Sequence, residues 1–220
     1  IDYQVIDGQT HTDEPWEKLK ILLEKSVPIT GIKRSMPIAM ACIDSGHATS
    51  TVYDFVSRFS PNRVRAIKGQ DALLSYFKMG SAISQNYDGS KNLYSHMIWL
   101  VGSSFLKDEI YSKLKLNRGS DESKIPSGYI HFPEFDEEYF RQMTSEALVP
   151  VVSAGKITGY KWEKQRPRNE ALDTFVYARA AAAMFGLDRF TDAEWEALAG
   201  VDVEDEETKV KEAASKPKAG

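Results

Sequence analysis

The residues best suited to chemistry in this chain are acids. Asp44 ends a short apolar run over 37–43 (PIAMACI) and is followed by Ser45 and Gly46. A buried strand ending this way presents a carboxylate at the carboxyl edge of a sheet, where open α/β sheets bind their ligands. A turn aspartate bonded to its own backbone is the simpler alternative. Glu170 and Asp173 open the last long helical stretch, in RNEALD. At i and i+3 their carboxylates face one way. An acid in the first helical turn gains about 0.3–1 kcal/mol from the helix dipole, so Glu170 needs no further explanation. Asp173 lies deeper, amid Leu172, Phe175 and Val176, and there requires a cation or a partner. A salt bridge to Arg168 or Arg179 would serve.

Directly before these acids runs a basic series, Lys161, Lys164, Arg166 and Arg168, with Trp162 inside it. Alone, such a series reads as a solvated face. Beside carboxylates it suits a phosphate backbone, held by the bases while the acids collect divalent cations. His47, three residues after Asp44, can approach the same sheet edge.

Other chemistries lack their residues. There is no G-x-x-x-x-G-K-[ST] and no G-x-G-x-x-G after a strand. The four histidines are scattered without zinc spacing, and the single cysteine, Cys42, falls inside an apolar strand, where a thiol is buried and inert. One cysteine excludes an internal disulfide framework and suits a reducing cytoplasm. The 220 residues are 42% apolar and 27% charged, an ordinary globular composition with a net charge of −4. That balance excludes a strongly basic nucleic-acid coat protein but allows a local basic patch. No run reaches the ~18 apolar residues of a membrane span, and no signal-peptide layout opens the chain.

The elements that must position these acids alternate between strand and helix. Residues 3–6 read as a short strand and 14–25 as a helix with Trp16, Leu19 and Leu23 on one face after Thr12 or Asp13. Residues 37–43 read as a strand buried on both faces. Val52, Phe55, Val56 and Phe59 mark a covering helix, followed by a strand at 63–67. The polar stretch 81–92 reads as an exposed loop, 96–101 as a strand, and Ile110 and Leu114 mark a further helix. Next come a polar loop at 117–127, a strand at 129–132 and a helix capped by Asp136 and running to about 142. A hairpin joins 148–152 to 157–162, and an alanine-rich helix runs over 169–185 until Gly186 stops it. The globular unit is placed at 1–190. Residues 191–220 read as a mobile charged tail, because they offer too little apolar surface to offset ~1–2 kcal/mol of backbone ordering per residue.

Taken in order, ACIDSGH (41–47), VYDF (52–55), RVRAIKG (63–69), WLVG (99–102) with KDEIYSKL (107–114), GYIHFP (128–133), W-x-K (162–164) and RNEALDTFVYA (168–178) resemble the endonuclease domain of the lambda-type, GpA-like terminase large subunit of tailed phages. RNEALD followed by an aromatic-rich alanine helix is the most specific part. The resemblance implies an RNase H-like mixed sheet flanked by helices. It also implies metal-dependent cutting of concatemeric double-stranded DNA into genome lengths, in the cytoplasm of a host cell. By motif match, Asp44, Glu170 and Asp173 would be the catalytic and metal-ligating acids of a two-ion Mg²⁺ or Mn²⁺ site, with His47 as an auxiliary. Lys161, Lys164, Arg166 and Arg168 would hold the DNA. A small terminase subunit and a portal protein are the implied protein partners, and no membrane is. Asp2 and Asp7 match no acid-bearing opening strand, so the chain resembles such a domain without its opening hairpin strands. Two rival readings are a DNA-binding or motor-assembly module that has lost catalysis, and another RNase H-like nuclease such as a resolvase or transposase.

Overall fold

Around Asp44 the apolar runs pair into a four-stranded sheet covered by helices on both faces. The computed structural model describes residues 2–29, 35–85, 91–120 and 124–199. In chain order these form α1 (Asp13–Glu24), a small antiparallel pair β1 (Ser26–Pro28) and β2 (Ser35–Pro37), then β3 (Ala41–Asp44), α2 (Thr49–Val56), β4 (Val64–Gly69), β5 (Phe77–Gln85) and β6 (Lys91–Val101). After them come α3 (Ser103–Leu114), α4 (Glu137–Met143), the antiparallel ribbon β7 (Glu146–Ser153) and β8 (Lys156–Lys164), α5 (Glu170–Phe185) and α6 (Asp192–Ala199).

The main sheet has the order β3-β4-β6-β5, with β3, β4 and β6 parallel and β5 antiparallel to β6. It is a mixed sheet flanked by helices. Alternation along the strands divides the core in two, because successive side chains leave a strand on opposite faces. Ala41, Ile43, Val64 and Ala66 face α1 and α2, meeting Trp16, Leu23, Val52, Phe55 and Val56. Cys42, Ile67 and Val101 face the other layer, where Leu106 and Ile110 of α3, Met143 of α4 and Leu172, Val176 and Ala180 of α5 close over them.

Several sequence expectations change here. Residues 3–6 and 129–132 are not strands, since neither finds a pairing partner. The strand expected at 37–43 is confined to Ala41–Asp44. It is an outer strand, covered on both faces but only half-buried. The stretch 81–92 is not a loop throughout. Strand β5 runs through Gln85 and β6 starts at Lys91, with 86–90 outside the described residues. An edge strand needs backbone partners rather than an apolar run, which hides it from hydropathy patterns. No described strand before β3 joins this sheet; β1 and β2 form their own pair.

The remaining elements follow their local chemistry. Asp136 Oδ1 accepts from Tyr139 N at 2.8 Å and caps α4. Ala154 and Gly155 both take positive φ, 48° and 76°, in the tight turn of the ribbon. Gly186, left-handed at φ 98°, ends α5. Residues 192–199, grouped with the tail in the sequence reading, are helical. Trp195 stacks on Phe190 (5.3 Å) and Phe190 on Phe185 (5.9 Å), anchoring α6 to the end of α5. The rest of that tail, 200–220, lies outside the described residues. Among the described residues no helix is long and apolar enough to cross a membrane.

Candidate active site

Parallel strands β3, β4 and β6 all end at one edge, and α5 crosses behind β3. Asp44, the last residue of β3, points its carboxylate into this edge. Its Oδ1 accepts from Gly46 N at 2.8 Å, so the turn-aspartate bond is present. Its other oxygen is used differently: Tyr177 on α5 donates its hydroxyl to Oδ2 at 3.2 Å. That contact depends on a glycine. A Cβ on Gly69, at the end of β4, would stand 2.6 Å from Ser103 Oγ and 3.2 Å from the Tyr177 oxygen.

Asp173 lies one helical turn before Tyr177, on the same side of α5. Tyr177 is held well above the ordinary phenol range, first by burial, then by the negative charges of Asp44 and Asp173, by its bond to Asp44 and by Asp71. Three carboxylates therefore act on one phenol. Asp71 follows β4, and Ser104 Oγ at the start of α3 donates to its Oδ1 at 3.2 Å.

Burial raises the pKa of Asp173 above its ordinary value, with Lys107 opposing, Glu146 adding, and Lys164 and the Asn169 hydrogen bond opposing. Lys107 explains how a half-buried acid is tolerated there. Its Nζ lies 4.0 Å from Asp173 Oδ1, while donating to both oxygens of Glu146 at 2.9 and 2.8 Å. Asn169 Nδ2 also donates to Glu146 Oε1, at 2.9 Å. Lys107, Glu146 and Asn169 are all buried, so α3, the base of β7 and the start of α5 are clamped together by one buried ionic group. The partners expected for Asp173 are engaged elsewhere: Arg168 with Glu170, and Arg179 with Glu109 and Asp188.

Glu170 does not converge with Asp173. It pairs with Arg168 (3.3 Å) and its charge acts on Tyr3, which packs against Phe135 and Tyr139. As the first residue of α5 it turns toward the preceding loop rather than along the helix face. His47 is exposed in the bend between β3 and α2, beside Asp44 in sequence. Of the basic series, Lys164 stands closest, its charge reaching Asp173. Lys161 pairs with Glu163 at 2.8 Å on β8, and Arg166 is exposed in the loop that follows.

Tyr177, Asp71, Lys107, Glu146 and Asn169 escape the sequence reading. Tyr177 was accessible, since it sits at i+4 from Asp173. The Lys107–Glu146 pair was not, because it joins a helix to a strand 39 residues away with no periodic signal.

Among the described residues no three His, Cys, Asp or Glu side chains form a group able to hold a metal ion. The donors on offer are the carboxylate of Asp44, bonded to Tyr177, and that of Asp173, one helical turn before Tyr177. That set fits a hard cation that keeps most of its water and takes phosphate oxygens from a substrate, as Mg²⁺ commonly does, rather than an all-protein cage.

The sheet edge thus carries Asp44, with a basic ribbon leading into the helix that bears Asp173, and sequence comparison says which family has this arrangement of residues. The profile of the terminase large subunit gpA endonuclease domain matches residues 1–195. The chain belongs to this family. It is 31% identical over 189 residues to the terminase large subunit of Escherichia phage lambda; the match covers 82% of this chain and 27% of the lambda protein. The chain thus spans about a quarter of that relative's length. No solved structure matches it.

Proposed function

We propose that this domain cuts double-stranded DNA with the help of Mg²⁺ or Mn²⁺, resolving concatemeric phage DNA into genome lengths on an RNase H-like scaffold. The observation that carries the reading is the hydrogen bond from Tyr177 on α5 to Asp44 at the end of β3, with Asp173 one helical turn before Tyr177. Asp44 and Asp173 would hold the cation, and Asp71 is the further carboxylate on which a second ion would draw. Such a cation supplies Lewis-acid polarisation of the phosphate and lowers the pKa of bound water.

The chain's own residues do the rest. Tyr177 fixes one oxygen of Asp44 while Gly46 N fixes the other. Lys107, anchored by Glu146 and Asn169, offsets the charge of Asp173. Lys164, with Lys161, Arg166 and Arg168, would hold backbone phosphates, and His47, three residues after Asp44, would be an auxiliary. Glu170 would have to leave Arg168 to join the acids. The RNase H-like assignment is supported by the mixed sheet between helix layers, with one acid at a strand's carboxyl end and another on a helix behind it. By family, the small terminase subunit and the portal protein are the proposed partners, and the host cytoplasm the proposed place of action.

The test is plasmid cutting in Mn²⁺ by the wild type, Asp44→Asn, Asp173→Asn and Glu170→Gln. Loss with both aspartate variants supports the reading; equal cutting by all four removes these residues from it. The lack of a three-ligand group among the described residues favours a second reading, a module that binds duplex without cutting it. No Mn²⁺-dependent cutting by the wild type, with duplex binding retained, would select that reading.

A further inference from the structure

We infer that the β7–β8 ribbon is a DNA-contacting arm that lies in a groove of the duplex and leads it to the acid pair. This rests on the proposed nuclease only for the identity of the polymer. A two-stranded ribbon alone in water is marginally stable, and strands normally bury at least one face. This one buries neither along most of its length. Leu148 is 49% exposed, Val152 60%, Ile157 60% and Tyr160 63%. Among the described residues its base alone is held, by Trp162 packing on Tyr111 (4.4 Å) and donating to Asp108 at 3.0 Å, and by Glu146 in the buried ionic group.

Charge decides what covers it. Between residues 146 and 168 there are five basic side chains against two acids, in a chain whose net charge is −4. One of those acids, Glu146, is buried against Lys107, and the other, Glu163, pairs with Lys161. The exposed surplus is therefore cationic, and it runs along β8 from Lys156 at the tip to Lys164 at the base, five residues before Asn169, where α5 with its Asp173 begins. A polyanion laid along this strand ends at the candidate cation site. At ~3.3 Å per residue the eight-residue β7 is about 26 Å long, and the major groove of B-DNA admits a ribbon of two strands. Lysines would then contact phosphates, while Val152, Ile157 and Tyr160 would face base edges and thymine methyls.

The experiment measures binding of the full chain to a duplex of about 30 base pairs by fluorescence anisotropy, in EDTA so that cutting does not enter. The wild type is compared with Lys156→Ala/Lys161→Ala and with Ile157→Ser/Tyr160→Ser across a salt series. The lysine pair should lower the log–log salt slope by roughly 1.8 and weaken binding by at least about tenfold. The apolar pair should weaken binding while leaving that slope unchanged. Melting temperatures should match the wild type, since the changed side chains are exposed. Unchanged affinity and slope in both variants would overturn the arm. So would a ribbon-dependent shift from dimer to monomer with DNA binding intact, which would mark the face as an interface between copies. A wild type that binds DNA through the ribbon but cuts nothing in Mn²⁺ would fail the nuclease reading and leave the arm standing.

Discussion

The hydroxyl of Tyr177 donates to Oδ2 of Asp44 at 3.2 Å, tying α5 to the end of β3 across 133 positions of the chain. The charges of Asp173, one helical turn earlier on α5, and of Asp71 act on the same phenol, so it links the strand acid to the helix that carries the second acid. Removing it should therefore affect chemistry more than folding. In Tyr177→Phe, Asp44 loses the hydrogen bond that fixes one of its oxygens. We expect Mn²⁺-dependent cutting to fall by about tenfold or more, while urea unfolding shifts by only about 1 kcal/mol. Cutting at the wild-type rate would separate Tyr177 from the site.

The Lys107–Glu146 pair gives a stability prediction. Its side chains are 10% and 4% exposed, so each charge is secure only while the other is present. Breaking such a pair from one side costs about 3–5 kcal/mol, while replacing both partners with apolar residues of similar size is often close to neutral. Glu146→Leu and Lys107→Met should each destabilise strongly, and Lys107→Met/Glu146→Leu should recover most of the loss. Urea melts of the four proteins provide the double-mutant cycle. Additive losses would show that the charges do not depend on one another.

A pH prediction comes from Glu109, away from the site. Burial pushes its carboxyl up, but hydrogen bonding to Lys113, the charges of Arg179 and Lys113 and the Arg179 hydrogen bond outweigh it, so its folded pKa is lowered from the ordinary 4.5. An acid with a depressed folded pKa contributes stability above its unfolded value, and loses it as pH falls through the folded value. The gap in melting temperature between wild type and Glu109→Gln should be wide near pH ~7 and shrink below ~4.5. A gap that does not change with pH would contradict the ionic role.

Much of this was legible in sequence, and the failures have physical causes. Asp136 and Gly186 announced two helix ends because capping is local chemistry, whereas Thr12 precedes α1 but its hydroxyl donates to Gln9 O and caps nothing. The ribbon turn was legible in Ala154-Gly155, and Asp44 was placed at a sheet edge by the apolar run before it. Strand β5 was missed because edge pairing needs backbone rather than apolar side chains. The expected convergence of Glu170 with Asp173 failed because helix periodicity does not govern a first-turn residue with an arginine at hand. The clamp made by Lys107, Glu146 and Asn169 depends on tertiary contact alone.

The most direct measurement is a calorimetric titration of Mn²⁺ into the wild type, Asp44→Asn, Asp173→Asn and Glu170→Gln, each with a short uncleavable duplex. The predicted result is a bound cation in the wild type, weakened by at least about tenfold in each aspartate variant and changed by no more than about twofold in Glu170→Gln. Equal affinity in all four proteins, or no binding in the wild type, would contradict a cation shared by Asp44 and Asp173.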